Sequence, residues 1–228
     1  MKKSSILILI IICLVGCKKG SNETTITGEI KGLGTDTLYL YGMDELYDRI
    51  DTIYVENDKF SYTTSVDTIT SAYLLLKNRI EYPVFLDKGN KIKIKGDTIN
   101  LNFLTISGNI YNEEFTDFQK ALEDPADPSE KAGEETVDKR ITVEKANTAE
   151  EMAEEFILQH HSSYVSLYLL DKYFVQKETP DFSKIKKLVE VMTGVLQDKP
   201  YIERLNETIT QAEKSEIGKY APFFSLPN

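Results

Sequence analysis

The alternation of apolar and polar residues between residues 24 and 107 constrains the fold of this chain more than any other feature. A repeat of two residues is the pattern of β-strands that bury one face. It occurs in short segments at residues 26–30, 37–41, 49–55 and 59–64, and further strand segments, separated by turn residues, follow at residues 72–77, 82–86, 91–95 and 103–106. Short strands at regular spacing favour a sandwich or a barrel of antiparallel strands. We therefore predict a β-rich domain over residues 24–108.

A tight turn is predicted between the third and fourth segments. Asn57 and Asp58 lie at this point, and both residue types tolerate the left-handed backbone that a two-residue turn requires. Apolar residues alternate on both sides of the pair. We therefore predict a β-hairpin from Ile53 to Phe60.

The seventh segment carries a stripe of positive charge. Lys91, Lys93 and Lys95 alternate with two isoleucines, so the three lysines share one face of the strand. Such a stripe binds anions, remains in solvent or guards an exposed sheet edge. The sequence favours the last two interpretations.

Residues 109–216 carry a helical repeat instead. Tyr111, Phe115, Phe118 and Leu122 recur at spacings of three and four residues, as on one face of a helix. Residues 123–140 contain two prolines, one glycine and many charges, which predicts a polar loop or a frayed helical excursion. The predicted fold class is thus α+β, with an antiparallel β-sandwich or barrel-like N-terminal domain followed by a small helical domain.

Several later helix starts carry residues that cap helices. Thr148 with Glu151 has the spacing of a capping box and predicts one start. Further boundaries are predicted from serine, threonine, aspartate and proline, at Ser162 or Ser163, at Thr179 or Asp181, and at Pro200.

The first sixteen residues have the layout of a secretory signal peptide. Lys2 and Lys3 precede an apolar run at residues 6–15, which is shorter than the roughly 20 residues that span a bilayer. The run ends in Leu-Val-Gly-Cys, which resembles the bacterial lipobox. The resemblance implies cleavage after Gly16 and a lipid on Cys17, with residues 17–23 as a lipidated tether; a secretory signal with an incidental cysteine is the alternative.

The residues after Cys17 favour one location. No aspartate follows Cys17 directly, so retention at the inner membrane is not signalled, and no acidic cluster favours export to the cell surface. We expect a periplasm-facing protein whose partner is the outer membrane, held through its lipid anchor.

Thiol chemistry is excluded by the cysteine count. Of the two cysteines, Cys13 would leave with the signal peptide and Cys17 would be acylated, so no Cys-x-x-Cys pair exists. The formal charge is −10, and loss of Lys2 and Lys3 makes it −12. A surface this acidic repels phosphate backbones, which argues against a nucleic-acid partner.

No motif for catalysis, for a cofactor or for a metal is present. His160 and His161 are adjacent, so on a helix their side chains point about 100° apart and do not converge on one metal. Acidic pairs are expected on solvent faces, at 113–114, 134–135 and 154–155. We therefore expect no catalytic, cofactor-binding or metal-binding residues, and a protein that is not an enzyme.

Tyrosine is unusually prominent among the aromatic residues. The chain has thirteen tyrosines and no tryptophan. Tyrosines on strands line sugar or peptide surfaces in some proteins, and ordinary strand propensity explains them equally well. The strand tyrosines are Tyr39, Tyr41, Tyr54, Tyr62, Tyr73 and Tyr82.

Four segments together resemble a known but uncharacterised domain. They are Ile-Thr-Gly-Glu-Ile at 26–30, Ile-Asp-Thr-Ile at 50–53 leading to Asn-Asp-Lys-Phe at 57–60, Pro-Val-Phe-Leu-Asp-Lys-Gly-Asn at 83–90 and Ile-Ser-Gly-Asn at 106–109. These segments look like domain of unknown function 4369. That domain often precedes a thioredoxin-like domain of the AhpC/TSA or TlpA type in lipoproteins.

Two further segments resemble parts of those thiol-disulfide oxidoreductases. Residues 160–167, His-His-Ser-Ser-Tyr-Val-Ser-Leu, are similar to a His-Pro-x-Ser-x-Val-Ser stretch, with His161 in place of proline. Residues 217–228 contain Gly-Lys-Tyr-Ala-Pro-Phe-Phe-Ser-Leu, which resembles the opening of the thioredoxin-like domain. The Trp-Cys-x-x-Cys active site of that domain has no counterpart here.

These observations leave two functional hypotheses. The favoured one is a non-catalytic accessory module that positions or orients a thioredoxin-like partner near the membrane, with a homodimer as one arrangement. The alternative is a stand-alone lipoprotein that binds a glycan or a peptide on an aromatic strand face. An exposed apolar patch at residues 163–174 would favour docking, and a deep groove lined by tyrosines would favour ligand binding.

Overall fold

The structure is a computed structural model that describes residues 22–43, 46–123 and 139–215. Several predictions fall outside the described residues: the signal peptide at 1–16, the lipidated Cys17 with nearly all of its tether, positions 124–138 of the polar loop, and the thioredoxin-like opening at 217–228. Within the described residues no helix is long and apolar enough to cross a membrane.

All eight predicted strands are confirmed, and they form two four-stranded sheets. The first sheet has the order β4-β1-β7-β8 and the second sheet the order β3-β2-β5-β6. The α+β fold class, with an antiparallel-rich sandwich before the helices, is therefore confirmed. The strands are β1 (Glu23–Lys31), β2 (Asp36–Gly42), β3 (Ile50–Val55), β4 (Lys59–Ser65), β5 (Thr70–Leu75), β6 (Glu81–Leu86), β7 (Lys91–Asp97) and β8 (Thr105–Ser107).

One strand pair departs from the antiparallel prediction. β1 and β7 run parallel, with Thr25 opposite Lys91 and Lys31 opposite Asp97. The alternation of side chains is the same for both strand directions, so the sequence pattern does not distinguish them. β7 also lies between β1 and β8, so its lysines do not guard a sheet edge and that interpretation is wrong.

The turn at Asn57 and Asp58 is confirmed, but the long hairpin is not. The two residues have φ angles of 50° and 69°, and the amides of Glu56 and Lys59 exchange hydrogen bonds of 2.9 and 3.1 Å. Beyond this single bridge, β3 pairs with β2 while β4 pairs with β1. The chain therefore passes from one sheet to the other at this turn, which a local turn signal does not reveal.

The core of the sandwich lies between the inner faces of the two sheets. Burying one aliphatic side chain of this size contributes roughly 1.5–3 kcal/mol. Inner residues of five strands are at most 1% exposed, and they include Ile26, Ile30, Leu38, Leu40, Ile53, Leu74, Ile92 and Ile94. The same hydrophobic cluster continues into the helices.

Five α-helices follow the strands in the described residues. Two starts are confirmed by their capping contacts, since the Ser163 hydroxyl accepts from the Val165 amide at 3.2 Å and the Asp181 carboxylate accepts from the Lys184 amide at 3.0 Å. The helices are α1 (Ile110–Glu123), α2 (Lys139–Gln159), α3 (Tyr164–Leu170), α4 (Phe182–Val191) and α5 (Pro200–Ser215), with a π-helical turn at Asp171–Val175.

The predicted capping box is wrong. Helix α2 begins at Lys139, so Thr148 and Glu151 lie inside it rather than at its start. Residues 139–147 contain neither proline nor glycine, and nothing in them stops a helix that continues into the apolar face of α2. The spacing of three residues between threonine and glutamate also occurs within helices. Pro200 is the first residue of α5, as predicted.

Helix α1 completes an edge of each sheet with its polar side chains. The Asn112 amide accepts from the Phe85 N–H at 3.0 Å and donates to the Phe85 carbonyl at 2.8 Å, so it bonds the edge of β6 as another strand would. The Thr116 hydroxyl bonds the N–H and the carbonyl of Ile106 in β8, both at 3.0 Å. The helix thereby covers edges that would otherwise carry unsatisfied backbone groups.

Candidate functional site

Four of the six strand tyrosines share the outward face of the second sheet. Register places Tyr41 beside Tyr73, with ring centroids 5.7 Å apart, and Tyr39 two residues further along β2. Tyr54 lies on the same face of β3 and is 73% exposed. The alternation of β2, β3 and β5 produces this arrangement, because every second residue points outward.

The other two strand tyrosines lie away from this outward face. Tyr62 belongs to β4 in the first sheet. Tyr82 is 2% exposed on the inner side of β6, where its hydroxyl donates to the Leu104 carbonyl at 2.7 Å and accepts from the Leu104 amide at 3.0 Å. Burial and backbone bonding explain Tyr82, whereas the Tyr62 hydroxyl bonds the Asp51 side chain.

A pocket of about 200 Å³ lies where the helices meet this tyrosine face. It is bounded by β5 on one side and by α3, the π-helical turn and α5 on the other. Three tyrosines form much of its wall, and the Tyr73 and Tyr168 rings meet edge to face at 6.4 Å. The lining residues are Met43, Ser71, Tyr73, Leu167, Tyr168, Asp171, Gln176 and Tyr201.

Asp171 is the charged group of the pocket. It lies at the start of the π-helical turn, a type of distortion that is frequent at functional sites. Its carboxylate accepts from the Tyr201 hydroxyl at 2.6 Å and from the Gln176 side-chain amide at 2.6 Å. Each carboxylate oxygen has room for two hydrogen bonds, so Asp171 keeps acceptor capacity for a ligand.

The pocket tyrosines are neutral at physiological pH. Burial raises the pKa of Tyr168, and burial together with the nearby Asp171 carboxylate raises the pKa values of Tyr73 and Tyr201. These phenols therefore donate hydrogen bonds and do not act as bases. The arrangement is equipped to bind a small group and orient it.

The His160-His161 segment serves as a helix junction. The His160 ring stacks on Phe156 at 4.1 Å, and the Nδ1 atom of His161 lies 3.2 Å from the Thr193 hydroxyl. Ser163 caps α3 and also donates to the Glu114 carboxylate at 2.5 Å. Across the described ranges, no group of three or more His, Cys, Asp or Glu side chains is arranged to hold a metal.

The acidic pairs have different surroundings from those expected. Glu114 is half-buried because of its contact with Ser163, and Glu154 is paired with Lys184 at 2.7 Å. Glu113 and Glu155 are exposed, as expected, and the pair at 134–135 lies outside the described residues. None of these contacts brings two carboxylates of the described pairs into a shared cleft.

A second polar cluster closes the sandwich beside β3 and β4. Asp51 accepts from the Tyr47 hydroxyl and, at 3.1 Å, from Arg49 Nε. Burial acts to raise the pKa of Asp51, but hydrogen bonds from Tyr47, Tyr62 and Arg49 outweigh it and lower that pKa below its ordinary value. Burial and the Asp51 contact raise the pKa of Tyr47 to about 12. The cluster ties the edge strand of one sheet to that of the other, since Tyr47 also contacts Thr64 of β4 at 3.1 Å.

Sequence reasoning missed the helical half of the pocket. Tyr168 lies in a helix whose seven residues are all buried, so its pattern indicated core packing alone. Asp171, Gln176 and Tyr201 are separated from β5 by about a hundred residues of sequence, and no motif links them. The alternation of tyrosines on β2 and β5 was the available signal for the strand half.

Two of the four segments behind the family resemblance meet at one junction. Asn109 caps α1 by accepting from the Asn112 amide at 3.0 Å, and it donates to Asn90 and to the Phe85 carbonyl, both at 2.8 Å. Gly108 has a φ of +114°, and a Cβ there would lie 2.3 Å from the Lys91 carbonyl oxygen. These residues join the 83–90 and 106–109 segments, so their pattern is that of a structural junction.

Comparison with known proteins gives one family match. Residues 24–115 match the family model described as Domain of unknown function (DUF4369). No curated protein and no solved structure matches the chain. The match spans all eight strands and ends within α1, the helix whose side chains complete both sheets. The predicted domain of unknown function is thus confirmed for residues 24–115.

Proposed function

We propose that this protein is a non-catalytic lipoprotein of the cell envelope that binds a neutral glycan in the pocket formed by Tyr73, Tyr168, Tyr201 and Asp171. In this proposal the lipid on Cys17 holds it to the periplasm-facing side of the outer membrane. The observation that supports it is a carboxylate surrounded by three neutral tyrosines in a concave site. Sites of this kind, mostly apolar with a few fixed polar groups, are the usual form of a small-molecule site.

The size and walls of the pocket suit one sugar ring. At about 200 Å³ it is smaller than the roughly 300–1,000 Å³ of pockets for drug-sized ligands. Tyrosine rings offer apolar faces to the C–H groups of a sugar, and their hydroxyls offer polar contacts at the rim. Asp171 accepts hydrogen bonds from ligand hydroxyls, while Gln176 and Ser71 have groups that donate and accept.

Charge argues for a neutral ligand rather than an acidic one. The chain carries a formal charge of −10, and Asp171 adds a negative charge inside the pocket itself. An acidic sugar would meet repulsion from both sources. A longer neutral chain has room to continue over Tyr41 and Tyr39, which lie next to Tyr73 on the sheet.

The proposal is tested by substitutions in the pocket. A panel of neutral oligosaccharides identifies the best ligand, whose Kd is then measured by calorimetry. Asp171→Asn and Tyr73→Ala should each weaken binding about tenfold or more, as expected when one polar contact or one ring contact is lost. Tyr54→Ala is the matched control, because Tyr54 lies on the same sheet face but outside the pocket. Equal Kd values for all four proteins, or no binding to any neutral saccharide, would contradict the proposal.

The accessory role is a second proposal, which the domain match at residues 24–115 favours. In it the chain positions or orients a thioredoxin-like domain or protein near the membrane. An exposed apolar patch at residues 163–174 would favour this role, but α3, which forms most of that segment, has every residue buried. The test is the nucleotide sequence downstream of the Asn228 codon: an adjacent frame encoding Trp-Cys-x-x-Cys would support this role, and unrelated sequence would contradict it.

A further inference from the structure

The outward face of the first sheet is open to solvent. Its exposed positions are mostly threonine, serine and lysine, and no described helix packs on it. Lys91, Lys93 and Lys95 form a column along β7, the central strand next to β1. This column, with Thr25 and Thr27 opposite it, is called the lysine face.

The lysine face is positive although the whole chain is acidic. Five lysines and three acidic residues point outward from this sheet, on a chain whose formal charge is −10. Glu29 lies between Lys95 and Lys59 in register, and Lys31 is opposite Asp97. Lys91 and Lys93 are opposite only Thr25 and Thr27 on β1, so their charges are not balanced by a neighbouring strand.

This face lies close to the proposed lipid anchor. β1 begins at Glu23, six residues after Cys17, and six residues of chain reach at most about 20 Å. Because β7 runs parallel to β1, Lys91 lies beside Thr25, at the end of the sheet that the tether reaches first. This step rests on the lipid anchor within the proposed function and not on the glycan.

We infer that the lysine face lies against anionic lipid headgroups of the membrane that holds the anchor. Each lysine near such a surface favours attachment about fivefold, the equivalent of about 1 kcal/mol. The remaining surface is acidic and is repelled by the same lipids. The tyrosine pocket is on the opposite sheet of the sandwich, so this orientation turns the pocket away from the bilayer and towards ligands in solution.

The orientation is tested with single fluorescent labels on the lipidated protein. Thr27→Cys places a thiol on the lysine face and Thr52→Cys places one on the outward face of the second sheet, both at exposed positions. The protein is reconstituted in phosphatidylethanolamine vesicles with and without phosphatidylglycerol, with a quencher attached to lipid headgroups. The label at residue 27 should be quenched several-fold more than the label at residue 52, and only when phosphatidylglycerol is present.

Two charge variants complete the test. Lys91, Lys93 and Lys95 all changed to Gln should make quenching at the two positions equal. The same change at Lys120, Lys187 and Lys214 removes three exposed charges from helices and should leave the difference intact. High salt should also remove the difference, since the screening length falls from about 10 Å at 0.1 M to about 3 Å at 1 M.

Three outcomes would overturn the inference. They are equal quenching at the two positions in the unsubstituted chain, equal effects of the two triple variants, or protection of the label at residue 27 by a soluble acidic polysaccharide in the absence of anionic lipid. Mass spectrometry of the N-terminal peptide reports separately whether Cys17 carries a lipid. A missing lipid would therefore be distinguished from a wrong orientation.

Discussion

The two sheets of the sandwich share an interior but differ on their outward faces. The first sheet shows threonine, serine and lysine to solvent, as in β7, where buried and exposed residues alternate. The second sheet is covered over β5 and β6, where α1 and α3 bring Tyr111, Phe115 and Tyr168 onto Phe85 and Tyr73. Its other half, β2 and β3, stays open and exposes Tyr39, Ile50 and Tyr54.

This difference shows that a layer of helices on a sheet buries the strand face that would otherwise be exposed. In β6 five consecutive residues are buried, because the sandwich covers one side and the helices cover the other. The pocket forms at the boundary where the helical cover ends and the open tyrosine surface begins. The covered half is thus packed on both sides, and the open half leaves one side of the pocket next to solvent.

The largest expected effect is the difference in stability loss between substitutions on the outward faces of the two sheets. Phe85→Ala should destabilise the protein by about 3–5 kcal/mol, because the side chain is fully buried under α1. Lys93→Ala, also an outward substitution, should change stability by no more than about 0.5 kcal/mol. Urea unfolding measures both, and a similar loss for the two variants would contradict the contrast between the faces.

Loss of an α1 side chain that bonds a sheet edge should destabilise the protein by a similar amount at either sheet, in contrast to substitutions on the outward faces. Asn112→Leu leaves the N–H of Phe85 without its partner and removes one of the two donors to the Phe85 carbonyl, which keeps its bond from Asn109, so it should cost about 2 kcal/mol. Thr116→Val removes the partner of both the N–H and the carbonyl of Ile106 in the first sheet and should also cost about 2 kcal/mol. The exposed neighbour Glu113, changed to Ala, is the control for an effect on helix α1 itself. A loss confined to one of the two variants would show that α1 supports a single sheet.

The polar cluster that joins the two sheets should make stability depend on pH. Asp51 has a lower pKa in the folded protein than in the unfolded chain, where it is about 4. Its hydrogen bonds therefore stabilise the fold fully when the pH is above the pKa of the unfolded chain. This contribution disappears as the pH falls through the pKa of the folded protein. Asp51→Asn should cost about 1 kcal/mol at pH 7. The difference from the unsubstituted protein should shrink below pH of about 4. A constant difference across this range in urea unfolding would assign the effect to packing.

The smallest expected effect lies on the open half of the second sheet. Tyr54→Ala should change the free energy of unfolding by less than about 0.5 kcal/mol, since the side chain is 73% exposed and outside the helical cover. Thermal or urea unfolding checks this value. A loss comparable to that of Phe85→Ala would mean that the tyrosine surface is part of the core and is not available to a ligand.

Local signals in the sequence predicted what depends on a few neighbouring residues. Alternation, together with short apolar segments between turn residues, located all eight strands, and Asn57 with Asp58 predicted a turn whose φ angles are positive in the structure. Ser163 and Asp181 predicted helix caps because capping is a contact between residues two or three positions apart. The same kind of signal failed at Thr148 and Glu151, where the three-residue spacing falls inside a helix that starts earlier.

Residue order alone therefore specifies the strands, most helix starts, the turn and the lysine column, because backbone periodicity and capping act over a few residues. The parallel pairing of β1 with β7, the change of sheet at Asn57 and the pocket around Asp171 arise only when distant segments pack together. Those features depend on which buried surfaces fit each other across the whole chain. Such complementarity leaves no repeated pattern in any single segment.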